Sequence, residues 1–280
     1  MSSCRIVVLA ENTASGVGIL GEHGLSFWIE LGSRRILFDT GQGFVLENNA
    51  EALDVRLEDV DEVLLSHGHY DHTGGLSTVL ERSPSVPVWG HPMALEPKYA
   101  ARTGAPARYI GMPQQTIEIL KGAKNWVAVE DKAVTPGGIT LTGPVPRRSG
   151  YEDTGGDFFL DAGCLEEDRM DDDQSAYFDT PQGLVVLLGC AHAGLVNTLE
   201  TVREQTQGRP VRAVLGGAHL VHASPQRIAK TIEYLQKLDI HDLRLAHCTG
   251  FESSCAIWNA LPGRCSSLPA GTRLEFEMGV

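Results

Sequence analysis

Residues 64–75 read LLSHGHYDHTGG. A hydrophobic run delivers three histidines and an aspartate within six positions, from His67 to His72, and two glycines close the stretch. His67 and His69 are two apart, so in extended backbone their imidazoles point the same way and can reach one cation. Gly68 between them permits tight local geometry. Asp71 and His72 follow where the chain should turn into a helix. Being adjacent, they point in different directions from the first pair, which suits a second metal nearby. Neutral imidazole together with carboxylate favours zinc, iron or manganese over magnesium or calcium. Two such ions about 3.5–4 Å apart can share a hydroxide at neutral pH, a nucleophile whose attack both ions then support. Chance or solvation explains so dense an H-x-H-x-D-H cluster poorly.

The rest of the chain repeats the pattern of an apolar run that ends in histidine. VLLSHGH ends at His69, VVLLGCAH at His192, RAVLGGAH at His219 and LRLAH at His247. In layered α/β proteins the carboxyl edge of the sheet is where functional side chains gather. Short β-branched runs predict strands over Arg5–Leu9, Ser26–Leu31, Arg35–Phe38, Glu62–Leu65, Pro87–Trp89, Trp126–Val129, Ile139–Thr142, Leu184–Leu188, Val211–Leu215 and Leu243–Ala246. Thr180–Gly183 reads as a hairpin turn. Helical periodicity is clearest after Ser224, a plausible N-cap followed by Pro225 at the first helical position. Ile228, Ile232, Leu235 and Leu238 then share a face. Gly194–Gln205 and Gly75–Glu81 are further helix candidates. Residues 144–174 are rich in Gly, Pro and charge and read as a long loop or insertion within a single domain over residues 1–280.

Composition narrows the function classes. The 280-residue chain is 42% hydrophobic, ample for a buried core, and carries 31 glycines and a net charge of −13. That acidity argues against nucleic acid or an anionic membrane as partner and leaves a small-molecule substrate. The N-terminal MSSCRIVVLAEN lacks the long apolar core of an export signal, and no run approaches the roughly 20 residues of a membrane span. The six cysteines form no CxxC pair, so free thiols and a cytoplasmic location are expected. No residue pattern fixes the oligomeric state.

SHGHYDHTGGL resembles the signature of the metallo-β-lactamase superfamily. LAEN, GEHGLSFWIEL, ILFDTGQG, DVDEVLLSHGHYDHTGGL, LLGCAHAGLVNTL, VLGGAHL and AHCTG resemble one branch of it, the 7,8-dihydropterin-6-yl-methyl-4-(β-D-ribofuranosyl)aminobenzene 5′-phosphate synthases and their relatives. The resemblance runs from about residue 5 to the C-terminus. It implies an α/β fold, a four-layer αββα sandwich of two similar halves, with a dinuclear metal site at one edge. Carried over by position, His67, His69 and His192 would hold the first divalent ion and Asp71, His72 and His247 the second, with zinc expected first and iron or manganese as alternatives. Many superfamily members bridge the ions with a carboxylate after the next strand. This chain has His219 there and no acid, so His219 stands as a ligand, as a donor to one, or beside a bridge made by solvent alone. Asp71 and His219 are the candidate catalytic groups.

Asp39 ends an early strand where the family places an aspartate that orients a ligating histidine. A turn-forming Asx residue is the plainer reading. Asn12, His23 and Ser26 resemble the branch's early motif and are candidate substrate contacts, against simple loop structure. Arg147 and Arg148 could hold a substrate phosphate through bidentate hydrogen bonds. A solvated arginine pair is equally common. Cys190 and Cys248 flank two proposed ligands, but a buried small hydrophobe is the default for a free cysteine. His91, followed by Pro92, reads as a turn residue.

These residues point to a metal-dependent hydrolase or transferase acting on a small anionic or heterocyclic metabolite, a dihydropterin synthase-type enzyme among the candidates. A di-iron redox protein acting on oxygen or nitric oxide is the first alternative. It would need a carboxylate-rich site and an electron-transfer partner. A low-activity ligand-binding or regulatory protein is the second, disfavoured by the intact set from His67 to His247.

Overall fold

The computed structural model describes residues 3–101 and 103–279. Its first half contains β1 (Ser3–Ala10), β2 (Ser26–Leu31), β3 (Arg34–Phe38), α1 (Leu46–Ala52), β4 (Glu62–Leu64), α2 (Tyr70–Thr73), α3 (Leu76–Arg82), β5 (Val88–Gly90), β6 (Tyr99–Ala100), β7 (Arg108–Tyr109), α4 (Gln114–Gly122), β8 (Trp126–Ala128), β9 (Ala133–Val134) and β10 (Thr140–Leu141). There follow β11 (Phe158–Phe159), β12 (Ala176–Thr180), β13 (Gly183–Leu188), α5 (Leu195–Gln205), β14 (Val211–Gly217), α6 (Pro225–Lys237), β15 (Asp242–Ala246), α7 (Phe251–Ala260) and β16 (Arg273–Glu277). One mixed sheet has the order β16-β1-β2-β3-β4-β5-β8 and a second the order β15-β14-β13-β12-β10-β9, while β11-β6-β7 form a small third sheet.

Strand patterning builds four layers, and the fold is an αββα sandwich. Along β1, Ile6 and Val8 face the second sheet while Val7 and Leu9 face the helices, so the strand is buried on both sides. The strand β13, GLVVLL, repeats this. Val185 and Leu187 pack between the sheets, and Val186 and Leu188 pack under α5. Strands covered on both faces read as continuous apolar runs. The outer helices complete the burial, α1, α3 and α4 on the first sheet and α5, α6 and α7 on the second.

Topology then aims the chain ends. Because β13, β14 and β15 are parallel, their carboxyl termini emerge along one edge and deliver His192, His219 and His247. In the first sheet β3 and β4 are likewise parallel and deliver Asp39 and the His67–His72 stretch.

The helix α6 starts as its sequence dictates, with Ser224 Oγ accepting from Arg227 N at 3.2 Å and Pro225 in the first position. Its buried stripe is displaced from the apolar face expected. Arg227, Thr231 and Leu235 are buried, and Ile228, Ile232 and Leu238 lie half-buried at the margin. Arg227 Nη1 donates to Asp153 Oδ1 at 2.6 Å and to the Asp153 carbonyl at 3.2 Å, which ties the buried arginine to the 144–174 segment.

Residues 144–174 are mostly irregular, with β11 in their midst. A buried charge network ties their C-terminal part to the histidine loop. Lys98, fully buried, donates to Asp168 at 2.8 Å and Asp172 at 3.0 Å, and the other Asp172 oxygen accepts from Gly68 N at 2.8 Å. Removing one member of a buried ionic network strands the others' charge. Lys98→Met is therefore expected to cost about 3–5 kcal/mol in urea-induced unfolding. A loss under about 1 kcal/mol, the scale of an exposed pair, would show that the network is solvated.

Candidate metal centre

The six expected metal-site residues, His67, His69, Asp71, His72, His192 and His247, converge from both sheets and are all buried. The ligand atoms of His67, His69 and His192 lie within 4.8 Å of one another. Asp71 Oδ2 stands 3.3 Å from His247 Nε2 and 4.0 Å from His72 Nε2. His23 joins this second group, with Nε2 3.1 Å from Asp71 Oδ2.

Acceptors outside the cluster decide which ring nitrogen faces in. His72 Nδ1 donates to Asp39 Oδ2 at 2.7 Å and His192 Nδ1 donates to the Thr154 carbonyl at 2.8 Å. Ser66 Oγ donates to Asp39 Oδ2 at 2.6 Å, so its oxygen is free to accept from His67 Nδ1 at 2.9 Å. His247 Nδ1 meets Asn12 Oδ1 at 2.8 Å, and the same oxygen accepts from Gly24 N. A proton held on Nδ1 leaves Nε2 as a lone-pair donor, as in metal-bound histidines. The Nε2 atoms of His69 and His192 are buried without a hydrogen-bond partner, while those of His67, His72 and His247 meet His69 Nδ1 at 3.0 Å, Cys190 Sγ at 3.1 Å and Asp71 Oδ2 at 3.3 Å.

Electrostatics agree with that donor set. Burial, reinforced by neighbouring imidazoles, holds His67 and His192 well below the ordinary histidine range. Burial also pulls His69 down to about 3. These rings are neutral, as ligation requires. Burial alone would raise Asp71, but the imidazoles of His23, His247 and His72 around it outweigh burial and hold the carboxyl well below its usual range. Buried neutral imidazoles gathered with an ionised carboxylate suit a divalent transition metal.

The backbone is bent to achieve this. Asp39, Ala191, His219 and His247 adopt φ of 56°, 51°, 40° and 53°, the left-handed region. Each such residue costs on the order of 1–2 kcal/mol, so tertiary contacts must impose it. One is visible at His247, whose N donates to Glu11 Oε1 at 2.8 Å. Gly189 also permits close approach, since a Cβ there would fall 2.1 Å from Ser66 Oγ.

Above the donors opens a cavity of about 540 Å³, lined among others by Asn12, His23, Phe158, His219 and His222. His219 sits against His192, ring centroids 4.2 Å apart, with its Nδ1 buried and unpartnered. Asn12 and His23 thus reach the site, and Asp39 lies directly behind His72. Three candidates do not reach it. Ser26 is buried and donates to the Asp39 carbonyl at 2.9 Å, a strand-pinning role. Arg147 spends its guanidinium on the carbonyls of His192 and Arg169 at 2.9 Å each. Arg148 pairs with Glu204 on the surface.

The structure also corrects Cys190. It is no inert core residue, because its Sγ lies 3.1 Å from His72 Nε2 and lines the cavity with Cys248. Glu11, Thr154 and Phe158 were not singled out as site residues by sequence. Glu11 sits in LAEN beside Asn12, the one signal available. Thr154 acts through its carbonyl, and Phe158, whose ring centroid lies 5.2 Å from that of His69, arrives on an irregular segment.

A family model of the metallo-β-lactamase superfamily matches residues 20–166. The chain belongs to that superfamily. A relative in Methanocaldococcus jannaschii, 7,8-dihydropterin-6-methyl-4-(β-D-ribofuranosyl)-aminobenzene-5′-phosphate synthase, is 30% identical over 99% of this chain and 98% of its own length. An uncharacterised protein of the same organism is 32% identical over 89% of this chain and 91% of its own. A crystal structure described as a metal-dependent hydrolase of the β-lactamase superfamily superposes with a TM-score of 0.83 at 32% identity, covering 98% of this chain and 99% of that one. Membership makes the chain an enzyme of a metal-dependent family. Among the described residues no helix is long and apolar enough to cross a membrane.

Asp39→Asn tests the donor geometry without changing its size, since asparagine tolerates left-handed backbone. Losing an outer carboxylate typically weakens metal binding about 10–100-fold. That loss is expected in a competition titration against a chromophoric chelator, and unchanged affinity would remove Asp39 from the site.

Proposed function

We propose that this chain is a two-metal enzyme of the dihydropterin synthase type, a transferase that uses zinc. The observation that carries this reading is the pair of donor groups, His67–His69–His192 and Asp71–His72–His247, of which His69, Asp71, His192 and His247 line a largely apolar cavity. The full-length similarity to the archaeal synthase adds the substrate class. Divalent ions bound there would supply Lewis acidity and activate a substrate or solvent oxygen.

The chain's own groups do the rest. Phe158, Ala100, Ala101 and Val221 give the cavity apolar walls that suit a flat heterocycle. His219 Nδ1, unpartnered at the wall, is placed to exchange a proton with a bound substrate. Asp71 keeps its charge beside His23, which is half-exposed at the cavity and can relay a proton outward. Among the described residues no arginine or lysine lines the cavity.

Two experiments test the reading. Metal-loaded protein incubated with an activated dihydropterin methyl donor and the ribosyl-aminobenzene phosphate is expected to give the coupled product by mass spectrometry. Release of hydrolysed pterin without coupling would replace the transferase with a hydrolase. His69→Ala is expected to lower metal content in elemental analysis and abolish turnover. Full activity in that variant would refute the ligand assignment.

A further inference from the structure

Cys190 occupies an unusual place among these donors. Its Sγ belongs to one close group with His67 and His72, to a second with His192 and His219, and to a third with His247 and Cys248. Within each group the ligand atoms lie inside 4.8 Å. Around one tetrahedral zinc, with Zn–N near 2.1 Å and Zn–S near 2.3 Å, nitrogen and sulfur stand about 3.6 Å apart. The sulfur lies 3.1 Å from His72 Nε2 and within 4.8 Å of a ring nitrogen of His67 and of His192, so it neighbours histidines of both proposed metal sets. Buried, unpartnered atoms accompany it on one side, His192 Nε2 and His219 Nδ1, and on the other His247 Nε2 faces the Asp71 carboxylate at 3.3 Å. The left-handed turn at Ala191 lets Cys190 and His192 both line the cavity.

We propose that the Cys190 thiolate is a metal ligand shared between the His67–His69–His192 and Asp71–His72–His247 sets. The proposal rests on the two-metal reading and adds a soft, anionic donor to it. Cys248 is less central, since it enters only the group with Cys190 and His247. Its Sγ accepts from His219 N at 3.3 Å and contacts the Cys190 carbonyl at 3.7 Å, so it braces the two loops. A thiolate between the ions favours zinc over manganese and lowers the charge each ion presents to substrate.

X-ray absorption at the zinc edge, on wild-type protein loaded with zinc, reads this directly. A sulfur shell near 2.3 Å is expected, averaging about one sulfur per zinc at two ions per chain. The shell should vanish in Cys190→Ser and persist in Cys248→Ser. A wild-type spectrum of nitrogen and oxygen alone would overturn the cysteine assignment and leave the metal site standing. About half a sulfur per zinc would make the thiolate a ligand of one ion and overturn the sharing. Loss of the shell in Cys248→Ser, with retention in Cys190→Ser, would move the role to the wrong residue. Protein that takes up no zinc would overturn this proposal and the two-metal reading together. The wild-type measurement holds whether or not either variant folds.

Discussion

One buried carboxylate organises this molecule. Asp39 has no solvent exposure and spends both oxygens on the histidine loop, receiving Ser66 N on one and Ser66 Oγ and His72 Nδ1 on the other. Through Ser66 it also sets His67. A single charge thus orients a ring in each donor group, and the two groups cannot move independently. The parallel pairing of β3 and β4 makes this possible by bringing Asp39 and Ser66 out of the sheet side by side. Gly189, on the opposite sheet, makes room for it.

The constraint has an electrostatic side. Five imidazoles packed away from water cannot all be protonated, because each added charge loses hydration and repels its neighbours. The fold resolves this by keeping His67, His69 and His192 neutral and by pairing His72, where burial opposes charge, with Asp39 strongly enough to favour it. What remains is a set of inward lone pairs with few protein partners. Such a surface is expensive unless something cationic meets it, and the stored cost is the same property that makes it a binding site.

Much of this was legible in the residues. The H-x-H-x-D-H spacing and the three later strand-ending histidines pick out side chains that the structure brings together, because strand period and sheet edge determine where such side chains go. The helix α6 was readable from Ser224 and Pro225. By contrast α1, α4 and α7 were not expected, and none of them has a side-chain cap at its N-terminus. Short strands such as β6, β7 and β11 exist through tertiary pairing alone. The alternation in RLEFE of β16 was an available signal that went unused. Arginines 147 and 148 misled for a similar reason. Guanidinium chemistry says what a side chain can bind, while chain geometry says what it meets, and here it meets carbonyls and a surface glutamate. The buried position of Cys190 was foreseeable, but its direction depended on the left-handed turn at Ala191, which no alanine advertises.

The contact between Glu11 and His247 spans 236 residues of chain. Side chains from the first sheet and from the last parallel strand therefore meet only after the chain has been made as far as His247 and both sheets have closed on each other. During synthesis an emerging chain carries the early histidines long before it carries their counterparts. Assembly of the full cluster thus waits on the closing of the sandwich.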